Sequence, residues 1–109
     1  MNNELFNNIV NDQLETCKHV LGLKGDEYDS ATKDRLHSFK VAAEVQNVSP
    51  MQALAGMMAK HTVSIYDMCH GGEYSESRWN EKITDSINYL LLLKALYYEE
   101  VAINETNSD

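Results

Sequence analysis

From Asn3 to Leu21 the apolar residues Phe6, Ile9, Val10, Leu14, Cys17, Val20 and Leu21 recur at spacings of three and four. That is the period of one face of an amphipathic helix. Gly22 and Gly25 interrupt it, and the charged stretch Lys24-Gly-Asp-Glu-Tyr-Asp-Ser predicts a loop over residues 22–32. The period resumes between Lys33 and Gln46 with Leu36, Phe39, Ala42, Ala43 and Val45, giving a second helix whose alanines permit close packing. Asn47-Val-Ser-Pro closes that helix and opens the next. Ser49 is a good N-cap, Pro50 suits the first helical position and Gln52 completes a capping box. A third helix rich in Met and Ala runs from Pro50 to about Met68 and ends where Gly71-Gly72 can supply left-handed backbone. Ser75 or Ser77 can cap a fourth, which continues through Trp79, Ile83, Ile87, Leu90, Leu91 and Leu93 to about Ala102. The pattern predicts one all-α domain, 1–109, like a four-helix bundle, with helices near 3–21, 33–46, 50–68 and 76–102.

Residues 89–98 are apolar nearly all round, and a helix of that kind has to be covered on most sides. A chain of 109 residues and 12.4 kDa has little material with which to do so, which predicts a homo-oligomer joined through the last helix. One proline and five glycines are too few for an all-β protein of this size, which turns every ~8–12 residues.

Charge narrows the partners. Seventeen acidic against nine basic residues give a net charge of −8, which repels a phosphate backbone and excludes general nucleic-acid or anionic-membrane binding. Basic partners and metal cations fit better, although Glu99, Glu100, Glu105 and Asp109 also read as a solvated tail. Two cysteines without a CxxC pair, and an amino terminus without basic and apolar blocks, make a reducing cytoplasm the default expectation. The longest fully apolar run, Leu90 to Leu93, is far short of the ~20 residues that cross a bilayer.

Candidate chemistry lies on the last two helices. Glu81, Asp85 and Asn88 fall at i, i+4 and i+7 and share one stripe beside Ile83, Ile87 and Leu91. Carboxylates one turn apart can share Mg²⁺, which takes oxygen ligands and keeps waters that substrate phosphates replace. An ordinary solvated face has the same spacing. Lys60, Ser64 and Asp67 form a second stripe, with His61 one position off. If the stripes face each other, Lys60 and His61 can hold phosphate oxygens while Asp67, Glu81 and Asp85 hold a metal. A hydrogen-bonded interface histidine is the plain reading of His61. In the predicted loop Lys24-Gly-Asp-Glu-Tyr-Asp the acidic groups, Glu27 among them, can close over a site and Tyr28 can stack on a base, although a plain surface loop has the same composition; Arg35, His37 and Lys40 can add positive charge nearby, with His37 most simply a surface residue. His19, His70 and the two cysteines match no zinc spacing, and Met51, Met57, Met58 and Met68 read as core filling.

Three segments, Lys24-Gly-Asp-Glu-Tyr, Met57-Met-Ala-Lys-His and Trp79-Asn-Glu-Lys-Ile-Thr-Asp-Ser-Ile-Asn-Tyr-Leu, resemble small phage-encoded proteins related to the MazG-like, all-α nucleotide pyrophosphohydrolases. The resemblance spans about residues 20–98 and is strongest from Glu81 to Leu90. It implies an oligomeric helical bundle in the infected bacterial cytoplasm that binds a nucleotide. It also implies Mg²⁺ held by carboxylates that activate a water to split a phosphoanhydride. Glu81 and Asp85 match the family's second acidic pair, spaced here by four residues instead of three. The first pair, two glutamates three apart on the preceding long helix, is replaced by Lys60, His61 and Asp67.

Three functions follow as expectations. One is a Mg²⁺-dependent nucleotide pyrophosphohydrolase using Glu81 and Asp85, with Asp67 or Glu27 as further metal ligands. The second is a non-catalytic protein that sequesters a nucleotide immune signal, because losing two of four carboxylates weakens metal binding and removes the source of the nucleophile. In it Lys60, His61 and Arg35 hold phosphates, Ser64, Asn88 and Lys24 add polar contacts, and Tyr28 or Trp79 stacks on the base. The third is an acidic protein–protein inhibitor that blocks a basic host surface.

Overall fold

The computed structural model describes the backbone of residues 1–29 and 34–107 and the side chains of residues 1–23 and 34–105. All regular structure among them is helical: α1 (Asn3–Asp29), α2 (His37–Gln46), α3 (Pro50–Cys69) and α4 (Glu76–Asn107). The all-α class is therefore as the hydrophobic period predicts. The chain divides into two compact units, Met1–Arg35 and Leu36–Asp109.

The first unit is built on α1. Asn2 starts it, its Oδ1 accepting from the Leu5 amide at 2.8 Å, which satisfies one of the amides that have no partner in the first turn. Lys18 pairs with Glu15 at 3.2 Å, and the Thr16 hydroxyl donates to the Asp12 carbonyl. The expected stripe exists, but Phe6, Ile9, Val10 and Leu14 are exposed along it while Cys17 is buried. The loop predicted over residues 22–32 is corrected over 22–29, where α1 continues through Gly22 and Gly25 to Asp29; residues 30–32 lie outside the described residues. Each glycine costs a helix only about 1 kcal/mol relative to alanine, and Leu23, Lys24 and Glu27 are good helix formers with no proline among them. A Cβ at Gly22 would meet only open space, so no close packing demands glycine there.

In the second unit α2 packs on α3, and α3 on α4. The predicted start of α2 at residue 33 is also corrected, to His37; Lys33 lies outside the described residues. Leu36 takes the N-cap position with no side-chain cap bond, its carbonyl accepting from the amides of Phe39 and Lys40, while its side chain is buried. The helix ends in a Schellman turn: Asn47 adopts left-handed backbone (φ 58°), its amide bonds the Glu44 carbonyl and the Val48 amide bonds the Ala43 carbonyl. Two residues on, the capping box closes in both directions. Ser49 Oγ accepts from the Gln52 amide at 3.1 Å, and the Ser49 amide donates to Gln52 Oε1 at 2.9 Å.

Helix α3 ends at His70, with Gly71 and Gly72 at positive φ as their sequence position suggests. Ser75 caps α4, its Oγ accepting from the Arg78 amide at 3.1 Å. Tyr74 stacks edge-on against Trp79 and lies under the Arg78 guanidinium, which ties the turn to the first residues of α4. The apolar core contains Leu36, Phe39, Leu54 and Leu96, with Met51, Met57, Tyr89, Leu92 and Leu93 packed against it. A fully buried leucine contributes about 1.5–3 kcal/mol, so this cluster is the main cohesive term of the unit.

Candidate functional site

Along α3 the buried residues Leu54, His61 and Met68 repeat at seven, with Met57, Met58, Ser64 and Ile65 half-buried between them. On α4 the buried residues are Thr84, Asn88 and Leu96. The short turn and the ring contact of His61 with Tyr89, 5.1 Å between centroids, make the two helices antiparallel and set their register. Leu54 and Leu96 then belong to one end of the seam, while His61, Thr84 and Asn88 belong to the other. The seam is divided: it is apolar toward the α2–α3 turn, and the half toward the Gly71–Gly72 turn carries the buried polar residues His61, Thr84 and Asn88, with Met68 buried next to the turn.

The polar half is the candidate site. His61 is 8% exposed, Thr84 3% and Asn88 5%, and Asp85 and Ser64 nearby on the same two helices are half-buried. Polar groups at this depth require partners, and His61, Thr84, Asp85, Asn88 and Tyr89 all take part in polar or ring interactions. The Ser86 hydroxyl oxygen is buried and, among the described residues, makes no hydrogen bond. Such a layer is a weaker stabiliser than an apolar one of equal volume, because each group gives up hydration for one imperfect bond.

The expected site residues fall into three groups. His61 and Asn88 are buried and Ser64 and Asp85 half-buried on α3 and α4, and the ring contact of His61 with Tyr89 joins the two helices at that level. Lys60, Asp67 and Glu81 are exposed at its edges. At ~1.5 Å of rise per residue from the level of His61 and Tyr89, Asp67 comes level with Ile83, between Glu81 and Asp85, while Lys60 sits about 14 Å along the axis from Glu81. Lys60 and Glu81 are thus too far apart along the axis to share one ion. The third group lies elsewhere. Arg35 belongs to the first unit, and the side chains of Lys24, Glu27 and Tyr28 lie outside the described residues.

Sharing a level does not gather carboxylates into a metal site. Among the described residues no three of His, Cys, Asp and Glu come together in a way that could hold a metal ion. Glu81 and Asp85, one turn apart, offer two oxygen ligands, fewer than a dedicated Mg²⁺ site uses without waters or substrate phosphates. Thr84 and Tyr89 join the site although neither stands on the expected stripe. The signal for Thr84 is its i, i+4 spacing to Asn88, between Ile83 and Ile87. His70, expected to have no role, holds the end of α3: its Nδ1 lies 2.7 Å from the Tyr66 carbonyl and its ring stacks on Tyr66. No helix is long and apolar enough to cross a membrane among the described residues. Comparison of the chain with protein families, with curated proteins and with solved structures gives no match.

Proposed function

We propose that the protein binds a nucleotide or nucleotide-derived signal along the polar half of the α3–α4 seam, holding it without hydrolysis, and works as a homo-oligomer joined through α4. The observation that carries the reading is the polar layer itself. His61, Thr84 and Asn88 occupy core positions of a helix pair that leucine or isoleucine would make more stable, a pattern typical of sites where function is kept at the expense of stability. In this reading Lys60 attracts the phosphates at the exposed edge, Ser64, Asp85 and Asn88 supply hydrogen bonds, and the His61 and Tyr89 rings offer an aromatic surface to a base. Support for association through α4 comes from Leu90, Leu91, Tyr97 and Tyr98, all 45–58% exposed on a helix whose opposite side is already packed. A strictly monomeric mass by sedimentation would remove that part of the proposal.

Hydrolysis is the second reading, favoured by the one-turn spacing of Glu81 and Asp85 with Asp67 at their level. Mg²⁺ would then arrive with the nucleotide, whose phosphate oxygens complete its coordination and on which it would exert its Lewis acidity. One experiment separates the readings: thermal stability and nucleotide integrity followed together across linear and cyclic nucleotides, with and without Mg²⁺. Ligand at a hundredfold excess over Kd stabilises by about 2.7 kcal/mol. Stabilisation with intact nucleotide supports binding, and loss of the nucleotide that stops in Glu81→Gln and Asp85→Asn supports hydrolysis. No shift with any nucleotide refutes both.

A further inference from the structure

At the other end of the second unit, away from the polar layer, a groove of about 260 Å³ opens between the α2–α3 turn and the last turns of α4. Pro50, Met51, Leu96 and Ile103 form its walls, and Ser49, Lys40, Glu99 and Glu100 lie at their edges. Ser49 is tied to Gln52, its amide donating to Oε1 and its Oγ accepting from the Gln52 amide. Lys40 is occupied by its ion pair with Glu99, which links α2 to α4. Glu100 is exposed and, among the described residues, has no ion-pair partner. The groove therefore presents an apolar floor beneath a rim of one positive and two negative charges, the unpaired one negative.

We infer that this groove docks a basic peptide segment of a partner protein, with one large apolar side chain as the anchor and a neighbouring Lys or Arg placed against Glu100. Three considerations select that occupant. Its size suits one bulky side chain, whereas pockets that enclose a whole small molecule run to roughly 300–1,000 Å³. The rim repels phosphates, which separates this groove from the nucleotide site proposed on the polar layer. Leu90, Leu91, Tyr97 and Tyr98, the apolar residues that would take a second copy, do not line the groove, whereas its acidic rim at Glu99 and Glu100 draws a basic segment. Helical anchors seated in apolar grooves beside complementary charge are a common mode of peptide recognition.

The test is a methyl-resolved NMR titration of the full chain with three synthetic peptides: a basic one with an apolar centre (Lys-Arg-Phe-Leu-Lys-Arg), the same with Gly-Ser replacing Phe-Leu, and an acidic analogue (Glu-Glu-Phe-Leu-Glu-Glu). Saturable shifts centred on Met51, Leu96 and Ile103 are expected with the first peptide, at least ~10-fold weaker binding with the other two, and weakening by added salt. Glu100→Lys is expected to weaken the first peptide about 5–10-fold, and Ile103→Ser about 3–10-fold. Both positions are exposed, so the variants keep the helical circular dichroism spectrum of the native chain. Equal binding of the acidic peptide, saturable shifts centred elsewhere, or no saturable shift overturns the inference. Because no nucleotide enters the titration, its failure leaves the proposed nucleotide site untouched.

Discussion

Replacing Ser86 by alanine should make the protein more stable. Its hydroxyl oxygen is buried on α4 and makes no hydrogen bond among the described residues. A buried polar atom left unsatisfied costs about 1–3 kcal/mol, a cost that vanishes when the hydroxyl is deleted. Alanine also exceeds serine in helix propensity by roughly 0.5 kcal/mol. Against this stands the loss of one oxygen's packing contacts, at ~0.1–0.2 kcal/mol per atom pair. The balance is a gain of about 1–2 kcal/mol, and at about 4–8 °C per kcal/mol for a chain near this size Tm should rise by at least 4 °C. Thermal unfolding followed by circular dichroism at 222 nm, at one fixed protein concentration, measures it. An unchanged or lowered Tm would show that the hydroxyl is satisfied in the native protein, and the reasoning would be wrong.

Leu54→Ala removes a side chain that is 0% exposed at the centre of the apolar cluster and should cost about 2–5 kcal/mol in urea unfolding; a loss below 1 kcal/mol would contradict the packing described. Ser49→Ala and Gln52→Ala should each lose about 1 kcal/mol, and the double variant less than the sum, because the two residues cap each other. At Asn47, with φ 58°, glycine should be neutral or stabilising while valine should cost more than 1 kcal/mol, as measured by Tm. Gly72→Ala should also destabilise, by roughly 1–3 kcal/mol, since φ is 94° and a Cβ would approach the Tyr74 ring to 3.1 Å.

What was legible in the sequence follows the range of the interactions that decide it. The α2–α3 boundary is local chemistry: Ser49, Pro50 and Gln52 settle it among themselves, and it appears as the sequence predicts. Gly71 and Gly72 supply positive φ for the same reason. The end of α1 was misread because Gly22 and Gly25 are a small penalty set against many helical residues, and a sum of that kind has no single marker. The start of α2 was misplaced because Leu36 serves the core with its side chain while its backbone turns, a conflict that periodicity alone does not register. Asn88 stands on its predicted stripe and His61 one position off the other, and both are buried, but the centre of the buried face was not legible. Glu81 and Thr84 are three residues apart, about 60° around the helix, and that is enough to leave one in solvent and the other buried. Which side chains meet across two helices depends on register, and here a tertiary contact, His61 with Tyr89, fixes it.

The division of the α3–α4 seam has a consequence for how the pair breathes. Local opening follows local cohesion, and amide hydrogens exchange with solvent most slowly where apolar side chains are densest. Amides near Leu54 and Leu96 should therefore exchange only with unfolding of the whole unit, whereas those near Ser64 and Thr84 should exchange through a smaller fluctuation that unzips the seam from the Gly71–Gly72 turn. A molecule held by His61 and Asn88 would close that fluctuation and slow exchange at one end of the hairpin alone. Mapped residue by residue, the protein's own deuterium uptake would then report where its ligand sits.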